Sequence, residues 1–174
     1  MMNMKKICFF MLLFSTMGYS QSKVTQKLQE QNSDGLVLFF YNNTLRMINQ
    51  KDDQEFDDLI RDIEKMKFLM IGKKEGKVLP YQKLVQQYKD DDFEEAMTSR
   101  FEGKNFDIFV KEKNGKTKGM LVLVNSEESL FVLDIVGKIA LNKVTKLYST
   151  LDGSTEIGKK IKDFMKTDDQ ESNP

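Results

Sequence analysis

Two runs of carboxylates, Asp52-Asp53-Glu55-Asp57-Asp58 and Asp90-Asp91-Asp92-Glu94-Glu95, carry residue types that could hold a hard cation or form an acid/base pair. A calcium loop needs a glycine at its sixth position and a bidentate glutamate at its twelfth. Neither run supplies either one, and Glu95 occupies the sixth place of the second. Carboxylates at helix starts also complement the positive end of the helix dipole and keep a surface soluble, which is the role expected for most of these. Asp90, Asp91, Asp92 and Glu94 form the better metal candidate, because they fall between a helical pattern and a series of strands, where a loop can gather several oxygens.

Asp134 differs from both runs. It stands among Leu130, Phe131, Val132, Leu133, Ile135 and Val136, and an unpaired carboxylate buried there would cost several kcal/mol or shift its pKa. The expected solution is exposure or pairing with a lysine, with a functional role as the alternative. Gly153-Ser154-Thr155-Glu156-Ile157-Gly158-Lys159 matches the first seven positions of a phosphate-binding loop, but Lys160 stands where a magnesium-binding hydroxyl belongs. It also follows a helical pattern, whereas the loop needs a strand to aim its amides; coincidence is the better account. Ser20 and Lys23 have serine–lysine spacing but straddle an expected cleavage point.

Missing residue types exclude more than the present ones suggest. The chain has no histidine and a single cysteine, Cys8. A Ser-His-Asp or Cys-His site, a usual zinc site, a haem ligand set and a redox thiol pair therefore have no material beyond residue 8. No catalytic residue and no cofactor is assigned.

The elements that would position these groups begin after a leader. Lys5 and Lys6 precede an apolar run from Ile7 to Met17, and Gly18 and Ser20 are small residues ahead of Gln21. That is the three-part pattern of a secretion signal, with cleavage expected at Ser20/Gln21. The run falls short of the roughly 20 residues that span a bilayer, and the mature chain carries no longer uncharged segment, so no transmembrane helix is expected. Cys8 lies near the start of the run rather than its end, which disfavours a lipid anchor. Of 27 basic and 27 acidic residues, the leader removes only Lys5 and Lys6. The near-neutral remainder lacks the basic field that nucleic acid or an anionic membrane requires. The product is expected in the periplasm or outside the cell, held by packing without disulfides.

Residues 21–151 read as one α+β domain, and residues 152–174 as an amphipathic extension, with Ile157, Ile161, Phe164 and Met165, ending in a polar tail. Ser22 to Asn32 reads as a lightly docked entry helix. The unbroken apolar run Leu36 to Tyr41 reads as an interior strand covered on both faces. After a helical piece near Thr44 to Gln50, Phe56, Leu59, Ile60, Ile63 and Met66 or Met70 keep helical spacing, capped by Asp52 and Glu55. Phe68 to Ile71 then reads as a second strand, parallel to the first through a crossover. Pro80 opens a helix with Tyr81, Leu84, Val85 and Tyr88 on one face. Ala96 to Glu102, Asn105 to Glu112, Thr117 to Asn125 and Ser129 to Gly137 read as an antiparallel meander, with Asn114-Gly115 as a strong hairpin signal. Leu141, Val144, Leu147, Tyr148 and Leu151 return to helical spacing. The expected fold is a mixed, mostly antiparallel sheet of about six strands with helices mainly on one face. If Phe109, Leu121, Leu123 and Phe131 share the other face uncovered, they form an apolar interaction patch.

Gly35-Leu36-Val37-Leu38-Phe39-Phe40, Phe93-Glu94-Glu95-Ala96-Met97, the hairpin from Asp107 to Lys113 leading to Met120-Leu121-Val122-Leu123-Val124, and Leu133 to Ile139 together carry a resemblance. The chain resembles domain of unknown function family 4252 over most of Val24 to Leu151. That resemblance implies a small exported bacterial envelope protein, often lipid-anchored in the family, with no established biochemical activity. This chain departs from it in lacking a lipobox cysteine, and residues past Asp152 lie outside it. The expectation is a non-enzymatic protein acting through contacts with an envelope partner of unknown identity. The alternatives are a carboxylate-dependent hydrolase or calcium-binding protein, and a small-ligand binding module.

Overall fold

A computed structural model describes residues 21–48, 54–73, 80–101, 103–140 and 143. In chain order the elements are α1 (Lys23–Gln31), β1 (Leu36–Tyr41), α2 (Asn42–Ile48), α3 (Gln54–Ile60), β2 (Ile63–Gly72), α4 (Tyr81–Asp90), β3 (Glu94–Phe101), β4 (Lys104–Lys113), β5 (Lys116–Asn125) and β6 (Ser129–Gly137). The sheet order is β1-β2-β6-β5-β4-β3, and every neighbouring pair is antiparallel. The α+β class and the six strands stand as read from sequence.

The meander forms where two-residue periodicity and turn chemistry agree. Asn114 and Gly115 both adopt positive φ, 55° and 68°, the pair of left-handed residues that a two-residue hairpin turn demands. The apolar runs of β5 and β6 place both strands inside the sheet, buried on both faces. Gly137 ends β6 at φ 120°, and a methyl group there would collide with the Asp62 carbonyl oxygen.

Four expectations need correction. First, β1 and β2 are antiparallel, with Leu36 opposite Met70 and Tyr41 opposite Lys65. The two helical segments expected between them are present as α2 and α3. One crossover helix carries the chain to the far end of a sheet; a helical hairpin brings it back to the end it left. Asn42 fastens that return, its side-chain amide donating to the carbonyls of Ile60 (3.2 Å) and Ile63 (2.9 Å).

Second, Ile63, Met66 and Met70 belong to β2 and not to a helix. A bulge between Ile63 and Lys65 inserts one residue into the strand's alternation. Ile63 and Met66 thus face the same core although three residues apart, a spacing that mimics one turn of helix.

Third, β1 lies at the sheet edge rather than inside it. Fourth, helices cover both faces. Leu45 of α2 and Phe56, Leu59 and Ile60 of α3 pack on Phe40, Met66, Phe68, Met120, Val122 and Ile135. Leu28 of α1 and Leu84 and Tyr88 of α4 pack on Leu69, Phe109, Leu121, Leu123 and Val132 of the opposite face. Helix α1 is firmly docked, since Thr25 and Leu28 are both buried. No helix among the described residues is long and apolar enough to cross a membrane.

Candidate functional site

The first face is apolar throughout its buried cluster. The second carries buried charge. Strand register places Asp134 of β6 directly beside Lys67 of β2 on one side and Leu121 of β5 on the other, and Asp134 is only 1% exposed. It is buried with Lys67 as its cross-strand neighbour, so the exposed alternative is set aside. The first turn of α1 supplies its hydrogen bonds. The Ser22 backbone N–H donates to Asp134 Oδ2 at 2.9 Å, and the nearby Thr25 hydroxyl favours the charged carboxylate. Thr25 Oγ1 lies 3.0 Å from the Tyr88 hydroxyl of α4, so one buried chain of polar groups ties β6, α1 and α4 together.

Ser22 works at three places at once. Its Oγ caps α1 by accepting from the Val24 N–H at 3.1 Å, and donates to Asp91 Oδ2 at 2.7 Å. Asp91 follows α4, and its carbonyl accepts from Lys111 Nζ at 2.7 Å. Lys111 Nζ lies 3.8 Å from Asp91 Oδ1 and 5.1 Å above the Phe93 ring. Two carboxylates thus hold the N-terminus of α1, where the helix dipole favours negative charge.

Burial pushes the Asp134 pKa up, while the bonds from Thr25 and Ser22 and the charge of Lys67 oppose that push. Burial likewise lowers the pKa of Lys67, against the pull of Asp134. The Lys67 ammonium sits 5.1 Å from the centre of the Phe39 ring, a favourable place for a cation with little water around it. Tyr88 is pushed up by burial and stays a neutral phenol. These groups clamp a helix: Asp134 Oδ2 and Asp91 Oδ2 each accept from Ser22 at the start of α1.

Beside the clamp lies a cleft of about 830 Å³, lined among others by Asp134, Asp91, Lys23, Lys111, Lys118 and Gly119. Of the metal candidates, Asp91, Asp92 and Glu94 line this cleft, whereas Asp90 accepts from the Gln86 side chain at 2.9 Å on α4. No group of three or more potential ligands among the described residues is placed to hold a metal ion. Asp52, Asp53 and the Gly153 to Lys160 segment lie outside the described residues, as do the leader and the extension from residue 152.

The proposed apolar patch does not exist as one surface. Phe109, Leu121 and Leu123 are fully buried beneath α1 and α4, and Phe131 packs half-buried on the opposite face. Alternation explains this: Leu123 pairs with Val132 and Val124 with Phe131, so Phe131 shares a face with Val124. Exposed apolar surface appears instead on β1 and just after it, at Phe39 (48% exposed), Tyr41 (60%) and Met47 (77%). Sequence reading missed this edge because an unbroken apolar run looks the same whether the strand is central or merely sticky. A usable signal was Lys67 interrupting the β2 run, since a charge in each of two apolar runs marks them as cross-strand neighbours.

A family model described as Domain of unknown function (DUF4252) matches residues 30–147. Comparison with curated proteins and with solved structures finds no match. Matching well over half of its length, the chain belongs to the DUF4252 family.

Proposed function

We propose that this is an exported envelope protein that acts by binding another protein rather than by catalysis, with β1 as the contact strand. The observation that carries the reading is the exposed aromatic edge, Phe39 and Tyr41 on a terminal strand whose outer side pairs with no strand among the described residues. An uncharged strand edge offers unpaired backbone donors and acceptors, and native folds normally blunt such edges with charge, proline or bulges. Leu36-Val37-Leu38-Phe39-Phe40-Tyr41 has none of the three. The occupant is an extended segment of a partner that adds as a further strand, with main-chain bonds for affinity and side-chain contacts for choice. Lys65 stands opposite Tyr41 and is half-buried, so an acidic residue in that segment complements the site.

Asp91 and Asp134, two of the carboxylates considered as a catalytic set, hold α1, which supports the non-catalytic reading. The Lys5-Lys6 and apolar leader supports export. Replacing Phe39 and Tyr41 together by lysine tests the proposal: the exported variant keeps its fold by circular dichroism and loses its co-purifying envelope partner. Retention of the same partner by the folded variant contradicts it. The cleft favours a second reading, a module for a small polar ligand carrying both charges, because lysines and carboxylates share its wall. A raised melting temperature with such a ligand, unchanged by the β1 substitutions, marks that outcome.

A further inference from the structure

The clamp around Ser22 stands one residue from the expected cleavage point. We infer that leader removal completes this site: the new α-ammonium group of Gln21 seats beside the carboxylates of Asp134 and Asp91, so that processing locks α1 onto the sheet. The inference rests on the export reading above.

Hydrolysis of the Ser20–Gln21 bond adds one water across it, leaving a carboxylate on Ser20 and an ammonium on Gln21. In the uncut chain the same nitrogen is a neutral amide. Its place follows from covalent geometry. The next backbone nitrogen, that of Ser22, is 2.9 Å from Asp134 Oδ2, and Ser22 Oγ is 2.7 Å from Asp91 Oδ2. Successive Cα atoms are only about 3.8 Å apart, so the Gln21 nitrogen cannot be far from either carboxylate. Gln21 is half-buried and lines the same cleft as both of them.

The existing cations leave work for another. Lys67 faces Asp134 across the strands but directs its Nζ to the Phe39 ring. Lys111 reaches Asp91 Oδ1 only at 3.8 Å while donating to the Asp91 carbonyl. Lys23 and Lys118 sit at the cleft wall and remain present before and after processing. Only the α-ammonium appears at cleavage. Held as an ammonium by two carboxylates, it also resists cyclisation, in which a free Gln21 amine attacks its own side-chain amide, expels ammonia and gives a neutral lactam.

The test expresses the full-length chain in an exporting bacterium and determines the intact mass and N-terminal residue of the purified product. The expected result is a chain starting at Gln21 with a free amine. A second full-length chain with two glycines inserted between Ser20 and Gln21 moves the ammonium up to about 7 Å along the backbone. It is expected to melt about 2–4 °C lower. That difference shrinks in an Asp91→Asn background and, where it folds, in Asp134→Asn, as a pairwise coupling requires. Equal melting temperatures, a difference undiminished in Asp91→Asn, or a product lacking one ammonia overturns the inference and leaves export intact. A product with an uncut leader overturns both, and a trimmed product with a different start overturns the inference alone.

Discussion

The two edges of the sheet are built on opposite principles. β3 is a guarded edge. A bulge between Glu95 and Met97 breaks its ladder, and its exposed positions are largely polar: Glu95 pairs with Lys89 at 2.7 Å and accepts from Thr98 at 2.6 Å. β1 is six residues of unbroken register without a charge, and shows solvent two aromatic rings. Both strands end the same sheet and face the same hazard of pairing with a stray chain. That only one is protected among the described residues is the contrast on which the proposed contact rests.

The largest contrast is in how the edges are anchored. Phe40 is buried in the apolar face, so Phe40→Ala is expected to cost about 3–5 kcal/mol, read from urea unfolding. Met97, the corresponding apolar residue of β3, packs only half-buried against the same cluster, and Met97→Ala is expected to cost about 1–2 kcal/mol. Equal costs would remove this part of the distinction.

The guarded edge depends instead on polar contacts with its neighbour. Asp107 of β4 accepts from Tyr81, and its Oδ1 lies 2.7 Å from the Thr98 hydroxyl of β3, whose single proton it shares with Glu95. Asp107→Ala leaves both hydroxyls without that acceptor and is expected to destabilise by about 1–3 kcal/mol. Asp107→Asn, which keeps an acceptor, is expected to lose less.

Protonation separates the regions by sign. Hydrogen bonds from Lys89 and Thr98 hold the Glu95 pKa below its usual range. Its contribution is therefore present above the ordinary glutamate pKa and lost as pH falls through the depressed value. As an exposed pair it contributes only about 0.2–1 kcal/mol, and Glu95→Gln removes that part of the pH dependence. Asp134, raised by burial, acts in reverse: stability falls as pH climbs from the unfolded aspartate value through the raised one. The smallest stability effect belongs to the open edge. Tyr41→Gln, at a position 60% exposed, is expected to change unfolding free energy by no more than about 0.5 kcal/mol, whereas Phe39→Lys removes the ring above Lys67 and sets a like charge opposite it, and is expected to cost more.

The legible parts of the fold were those in which short-range signals suffice. Asn114-Gly115 with its flanking alternation specifies a hairpin by itself, and Pro80 with Tyr81, Leu84 and Tyr88 specifies α4. Asp134 announced itself as a charge inside an apolar run. The failures all involve information that local pattern does not hold. The bulge at Ile63 imitated helical spacing. Whether β1 is an edge depends on which strand β2 pairs with on its other side, a partner about 70 residues away at Phe131 to Gly137. The apolar patch failed because covering α1 and α4 is decided by tertiary docking, which buries Phe109, Leu121 and Leu123.

The most direct test is a comparison of cross-linking from the two edges inside living cells. A photoreactive residue is placed at Phe39 or Tyr41 on β1, and at Ser99 or Arg100 on β3, of the exported chain. The account predicts one discrete adduct from the β1 positions, lost when the other β1 aromatic is changed to lysine, and none from β3. Adducts of equal yield from both edges, or adducts from β3 alone, would contradict it.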